Sequence, residues 1–474
     1  MESTQMKRAH ALSVVAATLS LTAASCSSTA KVAAPTTTVA AATTAAATKK
    51  TTAPATAATA TTSATTAVAT SAAPTTDAAT TPPTTDVKAA TTTAGTAASG
   101  LNGLFLAVPA PADPAGFAKV VAVTADAAGN PIVGFTSVHA VDDARSDLFV
   151  SASDPKTHAY AKPVAVTTIA TNSSLPLSMA YDPASSSIVL AYEDGTNIGL
   201  STSTDGGATW KNDKAATSTE TLTFPKVVVL QGNAVVLYTE TNDLKVVSSP
   251  LGSNTTPADS TKVVAQGGGT IDAALGGSLA TDGKTLGVAF FQDSPSDGGK
   301  DIDFWTVGSP AAVKVGDTAG AQNDSPSLAL AYTNGSPVVA ASLGVKGIDT
   351  AGIFFSASTD KGATFGTLTL LPGDASAGPG FTTAMVTGPG KSAAIAYASN
   401  TGSGDATCGQ PKLVLTNDEK TWVTCSPTAA DDTVDTNYPA LAASKDGRLF
   451  EAFTNSSNSK LAAGIYVASI PPAA

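Results

Sequence analysis

The sequence is poor in several residue types from which functional sites are built. Its 474 residues include three cysteines and three histidines, and aromatic residues make up only 5%. The few cysteines and histidines lack the spacing of metal ligands, which argues against a zinc site. The net charge of −11 and the isoelectric point near 4.7 leave no basic face for a phosphate backbone. A nucleic-acid partner is therefore not expected.

Long apolar runs are also missing beyond the first residues. Lys7 and Arg8 precede an apolar stretch from Ala11 to Ala24, which is the charge and length pattern of an export signal. This stretch is too short to span a bilayer, and no later run reaches about 18 apolar residues. We therefore predict that residues 1–25 are a signal peptide, that the protein is exported, and that it has no membrane-spanning segment.

Residues 21–26, LTAASC, resemble the lipobox of bacterial lipoproteins, in which cleavage precedes a cysteine that then receives lipid. Ala23 stands where that motif usually has leucine. The resemblance implies that Cys26 is lipidated and anchors the protein at the outer face of a bacterial cell membrane. Ordinary signal cleavage, with Cys26 as a free thiol, is the alternative.

Residues 26–100 consist almost entirely of Thr, Ala, Pro, Ser and Val. Because this composition cannot bury a core, we predict a disordered tether. Whether its threonines are glycosylated is left open. The folded domain is predicted to occupy residues 101–474.

A short motif recurs within this domain. Residues 203–210 read STDGGATW, residues 358–365 read STDKGATF, and residues 416–422 read TNDEKTW. In this pattern the Ser and Asp side chains bind backbone N–H groups of a tight turn, Gly supplies a positive φ, and the aromatic ring folds back over the sheet. The motif resembles the Asp box, or BNR repeat, of sialidase-like β-propellers. The resemblance implies a structural role, remote from the ligand face, for Ser203, Asp205, Gly207, Trp210, Ser358, Asp360, Gly362, Phe365, Asp418 and Trp422.

A regular period accompanies the boxes and predicts the fold class. Short apolar strands, most of them ending in an aromatic residue, end at Phe135, Tyr192, Tyr238, Phe290, Ala341, Tyr397 and Phe453, at intervals of 46 to 57 residues. Seven copies of one period predict an all-β, seven-bladed β-propeller, which a pair of β-sandwiches would not explain. The last repeat lacks a fourth strand, whereas residues 104–107 form a strand without a blade. We expect this N-terminal strand to complete the last blade and close the ring.

Two cysteines, Cys408 and Cys425, flank the third box. Exported proteins fold in an oxidising compartment. We therefore predict a disulfide bond across this hairpin.

The resemblance to sialidases makes that activity the first to test. Sialidases hold the sugar carboxylate with three arginines, because guanidinium groups bind a fixed anion well. The chain has three arginines, and Arg8 lies in the signal peptide, so only Arg145 and Arg448 remain. Sialidase activity is therefore not expected.

Other glycosidases need only two carboxylates across a cleft. The acidic residues just ahead of the innermost strands are catalytic candidates, namely Glu220, Asp272, Asp324, Asp374 and Asp435. They are equally consistent with turn caps that recur in five repeats. Tyr181, Trp305 and Tyr438 are candidates for stacking on a sugar ring.

The fourth repeat carries a long acidic loop with Asp293, Asp297, Asp301 and Asp303. These hard oxygen ligands suit calcium, although the spacing is not that of an EF-hand, and a solvated acidic loop is the alternative. No other cofactor is expected. We interpret the chain as a monomeric, surface-anchored propeller that binds a glycan or protein ligand. Glycoside hydrolysis is the alternative, so the sequence leaves open whether the protein is an enzyme.

Overall fold

A computed structural model describes residues 103–110, 117–138, 145–170, 177–252, 259–267, 269–294, 300–317, 327–345, 348–371, 384–388, 392–400, 409–425, 439–455 and 461–470. The predicted signal peptide, the predicted lipidation site Cys26 and the predicted tether lie outside these residues. The described chain forms strands β1 to β28 and one short 3-10 helix, Ala273–Leu275. No helix within it is long and apolar enough to cross a membrane.

The strands form seven antiparallel sheets of four, the predicted blades. Blade 1 contains β2 (Phe117–Ala125), β3 (Pro131–Val138), β4 (Ser146–Ala152) and β5 (Val164–Ile169). Blade 2 contains β6 (Ser178–Asp182), β7 (Ser187–Asp194), β8 (Asn197–Ser203) and β9 (Lys211–Thr217). Blade 3 contains β10 (Leu222–Leu230), β11 (Asn233–Glu240), β12 (Asp243–Pro250) and β13 (Thr261–Lys262).

The remaining blades repeat this order. Blade 4 contains β14 (Gly277–Thr281), β15 (Leu286–Asp293), β16 (Lys300–Thr306) and β17 (Val313–Asp317). Blade 5 contains β18 (Ser327–Thr333), β19 (Ser336–Val345), β20 (Ile348–Ala357) and β21 (Thr369–Leu370). Blade 6 contains β22 (Ala384–Thr387), β23 (Ala393–Asn400), β24 (Gly409–Thr416) and β25 (Trp422–Cys425). Blade 7 contains β26 (Ala440–Ala443), β27 (Leu449–Asn455), β28 (Gly464–Ile470) and β1 (Leu104–Pro109).

The N-terminal strand closes the ring, as predicted. β1 pairs with β28, so that Phe105 lies opposite Val467 and Leu106 opposite Tyr466. Leu104 of this strand is only 1% exposed and packs on Phe453 of blade 7. The seventh sheet is therefore built from both ends of the described chain.

Neighbouring blades are joined directly at their innermost strands. The Val227 N–H donates to Ser178 Oγ of the preceding blade at 2.9 Å, and the Leu330 N–H donates to Ser278 Oγ at the same distance. Small side chains at these positions let two innermost strands approach closely. This fits the occurrence of alanine on every innermost strand except β10.

The Asp boxes form the predicted turns between third and fourth strands. In the first box, Ser203 Oγ donates to Asp205 Oδ1 at 2.8 Å and accepts the Gly207 N–H at 2.8 Å, while Asp205 accepts the Thr209 N–H at 2.9 Å. The second box repeats these bonds within 0.1 Å. In the third, Asp418 accepts two backbone N–H groups and Thr416 takes the place of serine.

Each box aromatic packs on the blade before its own. Trp210 of blade 2 joins a cluster with Leu148 and Val150 of blade 1. The Phe365 ring lies 5.4 Å from that of Phe304 in blade 4. The Trp422 ring lies 4.8 Å, edge to face, from that of Phe355 in blade 5. The boxes therefore stabilise the contacts between blades as well as their own turns.

Blade 1 contains a related turn that sequence analysis missed. Asp154 Oδ1 accepts the N–H groups of Lys156 and Thr157 at 2.9 and 2.8 Å, as Asp418 does in the third box. Tyr160 follows and packs against the apolar cluster that blades 1 and 7 share. The motif escaped recognition because Ser153 and Asp154 are adjacent and the aromatic residue comes two positions later than Trp422 does.

The predicted disulfide is not tested by the described residues. Cys425 pairs with Leu413 at the end of β25, whereas Cys408 lies outside the described residues. The bond between them remains a prediction.

The box glycines provide a test of inter-blade packing. Gly362 has φ +92°, and a Cβ there would lie 2.6 Å from Phe304 Cε1, whereas Gly206, at φ +74°, has no atom near its Cβ position. Alanine at either position destabilises the folded chain, because a residue with a Cβ is strained at a positive φ. We expect Gly362→Ala to destabilise by about 1–3 kcal/mol more than Gly206→Ala, because only Gly362→Ala overpacks a blade interface. Denaturant unfolding of both variants measures the difference, and equal losses would contradict the interface role.

Candidate functional site

Each blade has two ends. The connection between its second and third strands lies at one end, together with the connection to the next blade; we call this the loop end. The hairpin between the first two strands and the boxes lie at the other, the turn end. These positions follow from the antiparallel order of every sheet.

At the loop end of blade 4, the connection from blade 3 is hydrogen-bonded to β15. The Asp272 N–H donates to the Phe291 carbonyl, and the Asp293 N–H donates to the Thr270 carbonyl, both at 2.8 Å. The side chain of Gln292, which is 1% exposed, accepts the Gln266 N–H at 3.0 Å. These bonds place Asp272 beside the end of β15.

Lys300 joins two of the predicted site residues. Its Nζ lies 2.5 Å from Asp272 Oδ2 and 2.6 Å from Asp293 Oδ1. Partial burial opposes the ammonium form, but the two carboxylates outweigh it and raise the pKa of Lys300. The exposed fraction of the side chain is 32% for Lys300, 18% for Asp272 and 57% for Asp293. This charged group is therefore accessible to solvent and to ligands.

A second group lies deeper in the same blade. Asp301 and Asp303 are on β16, not in the loop where the sequence analysis placed them, and they point to the same side because they are two residues apart on a strand. Lys314 Nζ lies 2.9 Å from Asp301 Oδ1 and 3.2 Å from Asp317 Oδ2. We refer to Asp272, Asp293, Lys300, Asp301, Asp303, Lys314 and Asp317 as the blade-4 cluster.

Asp303 is the unusual member of this cluster. It is fully buried, and although the Gln266 N–H approaches its carboxylate, neither oxygen accepts a hydrogen bond of normal geometry within the described chain. Burial, and then the charge of Asp301, raise the pKa of Asp303 to about 7. The cluster thus places a carboxyl group with a raised pKa close to a carboxylate paired with lysine, a combination typical of acid–base chemistry.

The other predicted site residues are not brought into this cluster. Glu220 is exposed, and its N–H donates to Ser218 Oγ at 3.1 Å. Asp297, Asp324, Asp374, Asp435 and Tyr438 lie outside the described residues. Where the chain is described, no three His, Cys, Asp or Glu side chains have an arrangement that would hold a metal ion, so calcium binding remains a prediction.

Trp305 is not available to stack on a sugar. Its side chain is 1% exposed and lies in the core between blades 3 and 4. Its indole N–H donates to the Ser309 carbonyl at 2.9 Å. The prediction of a stacking role was wrong. Successive side chains on β16 point to opposite faces of the blade, and that of Trp305 points into the interface with blade 3.

Lys300, Lys314 and Gln292 belong to this part of the blade but were not predicted from the sequence. Lys314 is 13 residues from Asp301 in sequence, and the β16–β17 register brings them together. Gln292 meets Gln266 only through the connection between blades. The alternation Asp301-Ile302-Asp303 beside Lys300 was the available signal, since polar residues at alternate positions indicate a strand with one polar side.

Two further buried carboxyl groups lie outside the blade-4 cluster. Glu193 accepts the Phe224 N–H at 2.7 Å, where Phe224 has φ +54°, and burial raises the pKa of Glu193 to about 7. Glu451 is fully buried without a partner in the described chain, and burial raises its pKa well above the usual value. Its position is Val, Leu or Ile in the other six blades.

The two arginines left to the folded domain lie at opposite ends of their blades. Arg145 precedes β4 at the loop end of blade 1. Arg448 precedes β27 at the turn end of blade 7, where its Nε donates to Asp446 Oδ2 at 2.9 Å. They therefore do not converge on one carboxylate.

Comparison with known proteins gives likenesses in structure alone. No family model and no curated protein matches the chain. It is similar to a protein of unknown function from Dyadobacter fermentans, with 12% identity, 78% of this chain and 100% of that chain covered, and a TM-score of 0.45. It is also similar to the intramolecular trans-sialidase from Ruminococcus gnavus, with 11% identity, 75% of this chain and 94% of that chain covered, and a TM-score of 0.38. A third similar structure is that of an ulvan lyase, with 12% identity, 74% of this chain and 91% of that chain covered, and a TM-score of 0.47. The propeller is sialidase-like in fold, and its blades and boxes establish this directly.

The buried carboxyl groups predict an unusual dependence of stability on pH. A carboxyl whose pKa is higher in the folded chain holds its proton there while the unfolded chain releases it, so its contribution is lost as pH rises from about 4 to about 7. We expect the free energy of unfolding of Asp303→Asn to decrease less over this pH range than that of the native chain, by on the order of 2–4 kcal/mol. Denaturant unfolding at pH 5 and pH 8 measures it.

Asp205→Asn is the matched control for that experiment. Hydrogen bonds from Thr209 and Ser203 hold the pKa of Asp205 at about 2, so this carboxyl contributes above its unfolded pKa and loses its contribution only at more acid pH. The variant is expected to be less stable than the native chain at both pH values by the same amount. A slope for Asp303→Asn equal to that of the native chain would contradict the assignment.

Proposed function

We propose that the protein is an exported, membrane-anchored propeller that binds a carbohydrate ligand at the loop end of blade 4. The observation that carries this proposal is the exposed group in which Lys300 lies between the carboxylates of Asp272 and Asp293. A sugar offers adjacent hydroxyl groups that both donate and accept hydrogen bonds. Carboxylates accept them and an ammonium group donates to them, and such charged partners make the stronger hydrogen bonds.

The charge of the site favours neutral over anionic glycans. The blade-4 cluster contains five aspartates and two lysines, and both lysines are already bound to carboxylates. A carboxylate or sulfate placed there would be repelled. The separation of Arg145 from Arg448 supports the same preference.

Contacts in this site are polar. Among the described residues, Leu370 is the only large apolar side chain that is exposed, and Tyr181, the remaining described candidate for stacking, is half-buried in blade 2. Binding then depends on hydrogen bonds, whose net contributions are about 1.5–3 kcal/mol each when a charged group takes part. Loss of one such contact should weaken binding by about tenfold.

Glycoside hydrolysis is the second candidate, and the pair of Asp301 and Asp303 favours it. Asp303, whose pKa burial raises, lies on the same side of the strand as Asp301, which is paired with Lys314, and such hydrolysis needs two carboxyl groups in different roles. Against it, Asp303 is fully buried, so a glycosidic oxygen has no access to its proton in this structure. Binding without hydrolysis is therefore the function that the geometry supports better.

A panel of neutral and sialylated glycans tests this proposal, with the full chain carrying Cys26→Ser to keep it in solution. We expect binding to neutral glycans that falls about tenfold in Lys300→Ala and in the milder Asp293→Asn. The matched control is Lys262→Ala, because Lys262 forms an exposed ion pair with Asp243 on blade 3 at 2.6 Å. Binding that survives both blade-4 changes, or a ligand that proves to be a protein, would refute the proposed site.

The same ligands distinguish binding from hydrolysis. Incubation of each bound glycan with the protein, followed by chromatography of the products, should show intact glycan. Cleavage that disappears in Asp303→Asn would establish hydrolysis in place of simple binding. Turnover of a sialoside that depends on Arg145 would instead indicate a carboxylate site of another kind.

Anchoring through Cys26 is a separate part of the proposal, supported by the lipobox-like residues 21–26 and the apolar segment before them. We expect the native chain in the membrane fraction of the cell and Cys26→Ser in the soluble fraction. Ser25→Ala, which keeps the cysteine, is the control and should remain with the membrane. Identical partitioning of the native chain and Cys26→Ser would contradict lipidation at this residue.

A further inference from the structure

A groove of about 440 Å³ opens at the turn end of the interface between blades 3 and 4, opposite the end that carries the blade-4 cluster. Its walls are the side chains of Leu230, Val235, Val246, Leu286 and Val307. Its rim includes the exposed charges of Asp259 and Lys284. Grooves of this size with apolar walls and a few polar groups are typical binding sites.

The same place in another interface is occupied by an Asp box. Between blades 1 and 2, a Cβ on Gly207 would lie 3.7 Å from Ile188 Cδ1 and 3.7 Å from Val150 Cγ1, with the Trp210 ring beside it. Leu286 corresponds to Ile188, because each precedes the aromatic residue of its second strand by four positions. We call this place, between the two apolar residues, the aromatic seat.

The strand registers confirm that the other wall of the seat is equivalent. Val246 pairs with Leu237, and Val150 pairs with Gly134, the residue just before the second-strand aromatic in each blade. Phe304 and Phe355 hold this position in blades 4 and 5. They are the residues on which Phe365 and Trp422 pack. Aromatic side chains thus fill the seat in three interfaces.

Blade 4 has no residue to place there. Its turn between third and fourth strands, residues 307–312, reads VGSPAA and contains no aromatic side chain. Trp305 is bonded to Ser309 from inside the interface and is not part of the groove wall. As far as the structure describes the chain around it, the seat between blades 3 and 4 is therefore open to solvent.

We propose that this groove binds an aromatic side chain of a partner protein, presented on a turn as the boxes present theirs. The chain's own N-terminal residues 1–100 contain no Phe, Tyr or Trp, so they do not supply the ring. None of the aromatic side chains that the structure describes is exposed, so none of these is presented to the groove by a second copy of this chain. The rim charges suit the backbone N–H and C=O groups that flank such a ring.

The test uses the full chain with Cys26→Ser, labelled with ¹⁵N and titrated with N-acetyl-tryptophanamide. We expect amide shifts at Thr285, Leu286 and Val307, with a dissociation constant in the millimolar range for this single ring. N-acetyl-leucinamide is the aliphatic probe and should bind at least fivefold more weakly. Equal shifts from both probes, or no shifts from the aromatic one, would overturn the proposal.

Two variants that fill the groove provide the second arm. Val307→Trp supplies a ring from the turn itself, and Ser248→Phe supplies one from the exposed rim, where a change of side chain leaves the core intact. Both should abolish the shifts caused by the tryptophan derivative and leave glycan binding at the blade-4 cluster unchanged. Undiminished aromatic binding in Ser248→Phe would overturn the assignment. Analytical ultracentrifugation that shows a dimer, lost in Ser248→Phe, would replace the partner protein by a second copy.

Discussion

Blade 7 takes three strands from the C-terminal part of the described chain and its fourth, β1, from the N-terminal part, and the rest of the propeller depends on this pairing. The apolar core does not lie within single blades. Most of its clusters draw residues from two neighbours, as the cluster of blades 7 and 1 does with Phe450 and Val123. Because every blade is covered on both sides only in a closed ring, separation of β1 from β28 would expose core at the point of opening.

Around this ring, aromatic side chains repeatedly fill the space between neighbouring blades. Where two blades diverge at the turn end, Trp210, Phe365 and Trp422 each lie against the preceding blade, and Tyr160 does so with another spacing. The Asp carboxylates, and the Ser hydroxyls of the first two boxes, accept backbone N–H groups and so fix the turns that carry the three box rings. The turn end is thus committed to structure in most blades, which leaves the loop end for polar chemistry and the open seat beside blade 4 as an exception.

The fold was predictable because its signals are local and repeated. Each apolar strand in the series from Phe135 to Phe453, and each box such as those at Asp205 and Asp360, occupies only a few consecutive residues. The regular recurrence of these short segments identified the seven blades and the closing strand. Asp154 escaped because one residue is missing from the pattern. The site was only half predictable: Asp272 and Asp293 were named, but Lys300, which unites them, and the burial of Asp303 arise from the register between strands and from a connection between blades. Trp305 was misassigned for the same reason, since sequence shows an aromatic residue but not which side of a blade it occupies.

A cysteine cross-link between the two ends of the ring is the most direct measurement of the closure on which this account depends. Phe105 and Val467 are direct partners in the β1–β28 register, whereas Phe105 and Ile465 are offset by two residues. With Phe105→Cys and Val467→Cys in one chain, oxidation should form a disulfide, detected by mass spectrometry of peptides, and should raise the melting temperature. The offset pair, Phe105→Cys with Ile465→Cys, should form it poorly. Failure of the direct pair to cross-link, or equal cross-linking of both pairs, would show that the N-terminal strand does not complete the last blade.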